Sequence, residues 1–465
     1  MVLRAMQHME RIKKGEKLPF NSLIFCNIGN PQELQQQPIT FFRQVAALIN
    51  YPQIITEQPE LVKQLYPSDV IERVQKYLAR IPGGIGAYTH SQGIECIREE
   101  VAHYISTRDG GIPASSSDIF LTDGASPGVQ ATLKSMIRDH NDAVMVPIPQ
   151  YPLYSASIAL FGGTMVNYYL EEANNWSLNV HELERSIQQA KKQNLTVRAI
   201  VIINPGNPTG NTLSETNMKD IVKFASKHNL VLLADEVYQE NIWTNKHPWV
   251  SFKKVAVELG LIDPKDTHTN KGLQLISFHS TSKGYTGECG RRGGYMELCG
   301  FDEGVRLELY KLASISLCSN TAGQIMVGLM TNPPKPGDFS YKLYIQERDN
   351  ILSSLKRRAQ KLENAFNKLE GVSCQPAEGA LYAFPQITLP VKAVEAAKKA
   401  GKAPDAFYCL ALLDATGIVV VPGSGFGQRD GTFHFRSTIL PPEHLLDGVI
   451  SRMSTFHAQF MKQYK

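Results

Sequence analysis

A single lysine stands among small hydroxyl residues in the stretch LISFHSTSKGYTGECGRRGGYMEL, which runs from Leu275 to Leu298. An apolar, strand-like run leads into Ser280 and Ser282, then Lys283, and Arg292 follows a short loop later, directly before two glycines. A lysine amine is a nucleophile that forms a Schiff base with an aldehyde. Hydroxyl groups and a planar, permanently charged arginine are donors that suit a phosphate. The stretch therefore predicts a covalent anchor beside a phosphate site.

Three other segments end a strand-like run with residues that suit the same chemistry. IFLTDGAS places Gly-Ala-Ser at residues 124–126, at a helix start where free backbone N–H groups and the helix dipole favour a phosphate. VIINPGNPTG places Asn207 in a turn rich in proline and glycine. LVLLADEVY runs an apolar strand into Asp235, with Tyr238 three residues later. A buried aspartate needs a cationic partner, and a protonated pyridine nitrogen is one.

Each of these signals has an ordinary explanation when it is taken alone. Gly-Ala-Ser is a common helix start, Asp-Glu after a strand can cap the next helix, and Asn-Pro-Thr-Gly is a turn. A single lysine is usually solvated. Their joint occurrence at strand ends is more specific, because ligands of open α/β sheets bind outside the carboxyl ends of the strands. Together they predict a cofactor with an aldehyde, a phosphate and a pyridine ring.

The segments around these residues alternate between strand-like and helix-like patterns. Short β-branched runs (DIFLT, DAVMVPIP, TMVNYYL, VRAIVIIN, NLVLLAD and LQLISFHS) are separated by helical stretches such as SETNMKDIVKFASKH, for which Ser214 is the expected N-cap. This alternation predicts an α/β fold in which helices cover both faces of a mostly parallel sheet.

A second, smaller α+β domain is expected after the Pro- and Gly-rich residues 332–337. A long helical pattern from about Leu343 to Leu369 is followed by the strand-like runs ALYAF, GIVVVPG and TFHFRST. We expect residues 1–52 to form an N-terminal arm and part of the small domain. Residues 53–340 would form the large cofactor-binding domain, and residues 341–465 the C-terminal small domain.

The composition excludes several classes of protein. The chain of 465 residues is larger than one ordinary core, and its 48 basic against 44 acidic residues give no indication of nucleic-acid binding. The seven cysteines are scattered as singles without a Cys-x-x-Cys pair, so the sequence predicts neither a metal site nor disulfides. This pattern is typical of a protein in a reducing compartment. No apolar run is long enough to cross a bilayer, so we expect no membrane partner.

These residues resemble those of the fold-type I pyridoxal-phosphate enzymes, specifically the class-I aminotransferases, over nearly the whole chain. The most specific segments are GAYTHSQG and the stretch from Lys283 to Tyr295. Together with NIGNPQ, LTDGASPGV, PIPQYPLYSA, NPGNPTGN, DEVYQENI and VVPGSGFGQ…TFHFRST, they look like the motifs of the alanine aminotransferases. The resemblance implies an aspartate-aminotransferase-like fold and pyridoxal 5'-phosphate as cofactor. It also implies reversible amino transfer between small amino and 2-oxo acids, from L-alanine to 2-oxoglutarate.

The resemblance further implies a role for each site residue. Lys283 would form the Schiff base and carry a proton, Asp235 would pair with the pyridine nitrogen, and Tyr238 and Asn207 would hydrogen-bond the phenolic oxygen. The residues implied to hold the phosphate or stack on the ring are Gly124, Ala125, Ser126, Tyr151, Ser280, Ser282 and Arg292. Those implied to bind the substrate carboxylate are Arg436, the Gly29 backbone and Asn207. Tyr88 would reach the phosphate of a neighbouring subunit, which implies a homodimer.

Some questions stay open at the level of sequence. Arg291 stands beside Arg292, and we choose Arg292 for the phosphate because two glycines follow it. No arginine is evident for the distal carboxylate of glutamate. The alternatives are a glutamate–glyoxylate or other neutral amino-acid aminotransferase, a lyase or synthase on the same scaffold, and a non-catalytic regulator that binds the cofactor. Cytoplasm and mitochondrial matrix both fit the sequence.

Overall fold

The structure is a computed structural model that describes all 465 residues. Its strands are β1 (Ile24–Phe25), β2 (Ile119–Thr122), β3 (Asp142–Ile148), β4 (Thr164–Tyr169), β5 (Thr196–Ile203), β6 (Val231–Asp235), β7 (Gln274–Ser280), β8 (Gly294–Cys299), β9 (Val372–Ser373), β10 (Tyr382–Ala383), β11 (Gln386–Ile387), β12 (Ile418–Val419), β13 (Val421–Pro422) and β14 (Phe435–Thr438).

Its helices are α1 (Val2–Lys13), α2 (Thr40–Asn50), α3 (Ile54–Glu57), α4 (Pro59–Leu65), α5 (Ser68–Arg80), α6 (Glu95–Arg108), α7 (Ala125–Met136), α8 (Leu153–Leu160), α9 (Val180–Lys192), α10 (Glu215–Lys227), α11 (Phe252–Glu258), α12 (Glu303–Ser314), α13 (Thr321–Thr331), α14 (Tyr341–Phe366), α15 (Val391–Lys399), α16 (Pro404–Thr416) and α17 (Glu443–Tyr464). None of them is both long enough and apolar enough to span a membrane.

A seven-stranded sheet in the order β2-β8-β7-β6-β5-β3-β4 forms the centre of the larger part of the molecule. Only β8 runs against its neighbours, β2 and β7, so the predicted mostly parallel sheet is confirmed. Alternate strand residues are buried on opposite faces, as a pleated strand requires. Val129, Tyr154 and Leu309 cover one face from α7, α8 and α12, while α9, α10 and α11 cover the other.

The pairing places the carboxyl ends of four functional strands at one edge of the sheet. Strands β5, β6 and β7 are parallel neighbours, and β2 has the same direction because β8 runs antiparallel to both β2 and β7. The loops that follow these strands therefore share one edge. Ser214 caps the intervening helix α10 by accepting a hydrogen bond from the backbone N–H of Asn217, as its position in the sequence predicted.

A second core lies in the C-terminal part of the chain. Leu355, Tyr408, Phe435 and Phe456 are buried together there, beside the antiparallel sheet β10-β14-β13. These residues come from α14, α16, β14 and α17, which is the α+β mixture that the patterns after residue 341 predicted.

The N-terminal residues 1–52 divide between the two cores. Strand β1 pairs in parallel with β12, and Arg4 and His8 of α1 bind Asp414 over 2.9 and 2.6 Å. Helix α2 instead buries its apolar side against α5, α6 and α13 of the larger part. An amphipathic helix pattern does not say which core it will face, and the assignment of residues 1–52 to an N-terminal arm and part of the small domain stays a prediction.

Strand β8 was not predicted. Its residues follow Arg-Arg-Gly-Gly directly and are not among the strand-like runs found in the sequence. They form a strand because β2 and β7 offer hydrogen-bonding partners on both sides.

Candidate active site

A cavity of about 500 Å³ opens at this edge of the sheet, between the two cores. Most of the residues that the sequence singled out line it: Gly29, Ala125, Ser126, Tyr151, Asn207, Asp235, Tyr238, Ser280, Ser282, Lys283, Arg292 and Arg436. Lys283, Arg292 and Arg436 are the only lysine or arginine residues among its walls, and Arg291 is not one of them. Gly124 lies directly behind the wall, and Tyr88 lies outside it.

Lys283 presents its amine to the cavity from the turn after β7. The Nζ atom donates a hydrogen bond to the carbonyl oxygen of Gly29 and lies 6.0 Å from the centre of the Tyr238 ring. A Cβ atom at position 29 would lie 3.1 Å from Nζ and 2.2 Å from the hydroxyl oxygen of Tyr382. Glycine is therefore required at this position, because any side chain would fill the space that these two groups use.

One corner of the cavity is built to bind an anion. Gly124 precedes α7 with a φ of +86°, and no side chain caps the helix, so its first N–H groups face the corner. Arg292 lies against them: its Nη2 atom donates to the carbonyl of Asp123 over 2.8 Å, and a Cβ at Gly124 would lie 2.7 Å from Nη2. The hydroxyl oxygen of Ser280 accepts from the N–H of Ser282 over 3.3 Å.

Asp235 is a buried carboxylate at the end of β6. Its Oδ2 atom accepts a hydrogen bond from the Tyr154 hydroxyl over 2.8 Å, and the Val237 N–H is 3.5 Å from Oδ1. Burial raises the pKa of Asp235 to about 6, although these hydrogen bonds and the charge of Lys283 act in the opposite direction. A cation beside the carboxylate would offset the cost of burying its charge.

The opposite corner belongs to Arg436 on β14. Its Nη1 atom donates to Oδ1 of Asn207 over 3.0 Å, and Nη2 donates to the carbonyl of Asn27. The guanidinium carbon lies 4.3 Å from the centre of the Tyr382 ring and 4.5 Å from that of Phe426. Its Nε atom is buried and has no hydrogen-bond partner in the protein. This unpartnered donor gives the corner the chemistry of a carboxylate site.

A sequence profile described as "Aminotransferase class I and II" matches residues 58–452 of the chain. The chain belongs to this family. Aminotransferases of this class use pyridoxal 5'-phosphate, and the donor set fits that cofactor. The amine of Lys283 suits its aldehyde, the buried Asp235 suits its pyridine nitrogen, and the corner beside Arg292 suits its phosphate.

Curated relatives of this aminotransferase are similar over almost all of its length. "Alanine aminotransferase 2" from Panicum miliaceum is 54% identical, with 99% of this chain and 94% of the relative covered. "Alanine aminotransferase 1, mitochondrial" from Arabidopsis thaliana is 55% identical, covering 96% and 81%. "Glutamate--glyoxylate aminotransferase 1" from Arabidopsis thaliana is 51% identical, covering 97% and 91%.

Solved structures support the fold. An alanine aminotransferase from Pyrococcus furiosus superposes with a TM-score of 0.73 at 22% identity, covering 98% of this chain and 96% of the other. This aminotransferase therefore has the aspartate-aminotransferase-like, fold-type I architecture that its motifs implied.

Two of the predicted residues stand apart from the cavity. Gly124 contributes through its backbone conformation, which lets Arg292 approach the start of α7. Tyr88, between α5 and α6, is 79% exposed, and its contact with a neighbouring subunit stays a prediction.

Three site residues were missed at the level of sequence. Tyr154 stands one helical turn after Tyr151 in PQYPLY, a spacing that could have identified it, and Tyr382 lies in ALYAF, which showed only a strand pattern. Cys289 lines the cavity and carried no sequence signal.

Proposed function

We propose that the protein is an alanine aminotransferase, which transfers the amino group of L-alanine to 2-oxoglutarate reversibly and yields pyruvate and L-glutamate. The observation that carries this proposal is that a primary amine, a buried carboxylate and a guanidinium with an unpartnered Nε atom face one cavity. The substrate pair follows from the 54% identity with a full-length alanine aminotransferase.

Arg436 binds the α-carboxylate of either substrate. The guanidinium is already oriented by Asn207 and the Asn27 carbonyl, so little side-chain freedom is lost when a carboxylate arrives. Its free Nε–H and the remaining Nη hydrogens offer a bidentate pair. The backbone of Gly29 lies at the same wall and completes the carboxylate site.

The Nζ atom of Lys283 anchors the cofactor and then carries the proton that leaves the substrate α-carbon. Pyridoxal 5'-phosphate, when bound, supplies the aldehyde carbon and the electron sink. Asp235 keeps the pyridine nitrogen protonated, because its carboxylate is buried and held by Tyr154. Tyr238 and Asn207 are donors for the phenolic oxygen, and their side chains already meet over 3.4 Å.

The remaining assignments concern the phosphate and the ring. The N–H groups of Ala125 and Ser126 after Gly124, the hydroxyl groups of Ser280 and Ser282, and Arg292 would hold the phosphate. Tyr151 lies at the cavity wall and would stack on the ring.

The assembly is proposed to be a homodimer with the active sites near the subunit interface. The ring of Tyr88 is 79% exposed and is therefore free to contact a neighbouring subunit, and tyrosine is enriched at protein interfaces. We further propose that residues 341–465, with part of the N-terminal residues 1–52, form a small domain that closes over a large cofactor-binding domain of residues 53–340. A cytoplasmic or mitochondrial location is proposed from relatives such as the mitochondrial enzyme of Arabidopsis thaliana.

A half-reaction scan tests the function. The cofactor-loaded protein is mixed with alanine, glycine, aspartate or glutamate alone, and the loss of cofactor absorbance is followed. We expect alanine and glutamate to react fastest, and 2-oxoglutarate or pyruvate to restore the absorbance. If alanine left the cofactor absorbance unchanged, the proposal would be excluded and a non-catalytic protein that binds the cofactor would be favoured.

Glutamate–glyoxylate transfer is the second candidate, because a relative with that name is 51% identical over 97% of the chain. It would be favoured if glyoxylate restored the absorbance much faster than pyruvate.

A further inference from the structure

Tyr382 lies where the carboxylate corner meets the lysine. It is 3% exposed, and its strand β10 pairs with β14, the strand that carries Arg436. Its ring and its hydroxyl contact different groups, so the two parts of the side chain can be considered separately.

The ring of Tyr382 packs against the guanidinium of Arg436. The guanidinium carbon is 4.3 Å from its centre, and the ring of Phe426 is at 4.5 Å. A cation over the face of an aromatic ring is attracted by the ring's quadrupole, more strongly when both are buried. The same guanidinium donates hydrogen bonds to Asn207 and to the carbonyl of Asn27, so the two rings and these two acceptors together restrict its position.

The hydroxyl of Tyr382 points away from the arginine, toward the lysine end. It accepts a hydrogen bond from the Tyr238 hydroxyl over 3.2 Å. A Cβ at Gly29 would lie 2.2 Å from this oxygen and 3.1 Å from Nζ of Lys283, so the three groups share one small space.

The charges around this hydroxyl favour its ionisation. Burial by itself raises the pKa of Tyr382, and the thiol of Cys289 also raises it. The charges of Lys283 and Arg436 and the hydrogen bond from Tyr238 lower it, and together they bring the pKa below its ordinary value. The hydroxyl of Tyr151 also faces this group. Burial holds the pKa of Tyr238 well above its ordinary value, so the two hydrogen-bonded hydroxyls differ in acidity.

We propose that Tyr382 is a positioning residue of this site, whose ring orients Arg436 for the substrate carboxylate and whose hydroxyl, through its hydrogen bond with the hydroxyl of Tyr238, fixes Tyr238 beside Lys283. The inference rests on the proposed function, since it assumes that Arg436 binds a substrate carboxylate. It also connects the two ends of the cavity, because one side chain contacts both Arg436 and Tyr238.

Two substitutions separate the ring from the hydroxyl. Tyr382→Phe keeps the ring, so the alanine KM should stay within about twofold, while kcat should fall roughly three- to tenfold, as expected for one lost hydrogen bond. Tyr382→Leu removes both parts and should also raise the alanine KM roughly three- to thirtyfold, the range for a buried cation–π contact. Phe426→Leu is the matched control for the second ring, and should raise KM without the fall in kcat.

A titration without substrate tests the hydroxyl independently. Tyrosine ionisation in the cofactor-free protein is followed by ultraviolet absorbance, and each variant's unfolding temperature is measured in parallel. Wild type should show one tyrosine that ionises below the ordinary value of about pH 10, and Tyr382→Phe should lose that transition.

The outcomes are distinct. An unchanged titration in Tyr382→Phe, or equal KM values in Tyr382→Phe and a folded Tyr382→Leu, would overturn the assignment. A lost transition in a protein that does not react with alanine would contradict the proposed function and leave the acidity of Tyr382 intact. If Tyr382→Leu does not fold, it is replaced by Tyr382→Met, whose flexible apolar side chain adapts to the space and has no aromatic face.

Discussion

The anion corner and the carboxylate corner of the cavity are built in different ways. In the anion corner, Arg292 donates a hydrogen bond to the carbonyl of Asp123, between β2 and the start of α7. Arg292 itself lies just before β8, the strand that pairs with β2, so all these elements belong to one core. Arg436 is held by Asn207 from the large sheet, the Asn27 carbonyl from the N-terminal segment, and two rings of the C-terminal part. The first corner is complete within one core, whereas the second needs residues of both cores in place. The difference suits a cofactor that stays and a substrate that enters and leaves.

From this comparison we expect that substitutions of residues after the strands of the large sheet lower kcat. Substitutions around Arg436 should instead raise the KM of the substrate. The largest effect is expected for Lys283→Ala. Removing the amine abolishes both the anchor and the proton carrier, so kcat should fall by about 10³-fold or more. Cofactor should still bind through the Arg292 corner, which equilibrium dialysis can measure. A variant with near wild-type turnover would remove Lys283 from the mechanism.

Arg436→Ala should act on the other corner. Loss of a charged partner in a buried site should raise the apparent KM of alanine by the equivalent of about 2–5 kcal/mol. Arg436→Lys should be a poor substitute, because an ammonium group lacks the planar fork. Cofactor affinity should hardly change in either variant. If cofactor affinity collapsed while KM stayed the same, Arg436 would belong to the anion corner.

The buried carboxylate of Asp235 should make the free energy of unfolding depend on pH. Its folded pKa of about 6 lies above the unfolded value, so the folded state keeps the proton longer and stability falls as pH rises through that interval. Asp235→Asn removes this dependence. In the cofactor-free protein the variant should gain stability relative to wild type between about pH 4 and pH 6, by an amount on the order of 3 kcal/mol.

Thermal unfolding of both proteins across that interval measures the effect. A constant difference between them would contradict the assigned burial. The neighbouring Glu236, whose pKa burial raises to about 8, contributes equally to wild type and variant and therefore cancels in the comparison.

The smallest effect is expected for Tyr238→Phe, which removes one hydroxyl and retains the ring. The loss in kcat/KM should correspond to about 0.5–1.5 kcal/mol. Asp235→Ala should lose far more, because it removes a charge that no neighbour replaces. Steady-state kinetics of the two variants side by side makes the comparison, and equal losses would mean that the two assigned roles are wrong.

The residues that follow β2, β5, β6 and β7 could be predicted to share one site from the sequence alone. Residues that follow parallel strands lie at the same edge of the sheet. The positions of residues 124–126, Asn207, Asp235 and Lys283 after strand-like runs therefore already implied a shared cavity. Local patterns also sufficed for α10 with its Ser214 cap and for the long helix α14, which begins at Tyr341, two residues before the predicted start.

The surroundings of Arg436 depend on contacts between residues that are far apart in the chain. Arg436 meets Asn27, which lies 409 residues away in the chain, and Tyr382 meets Tyr238 across 144 residues. Strand β8 and the division of residues 1–52 between two cores likewise depend on partners that are distant in sequence. Periodicity reports which face of an element is apolar, but it does not report what will cover that face. The contacts that orient Arg436 therefore became visible only once both cores were in place.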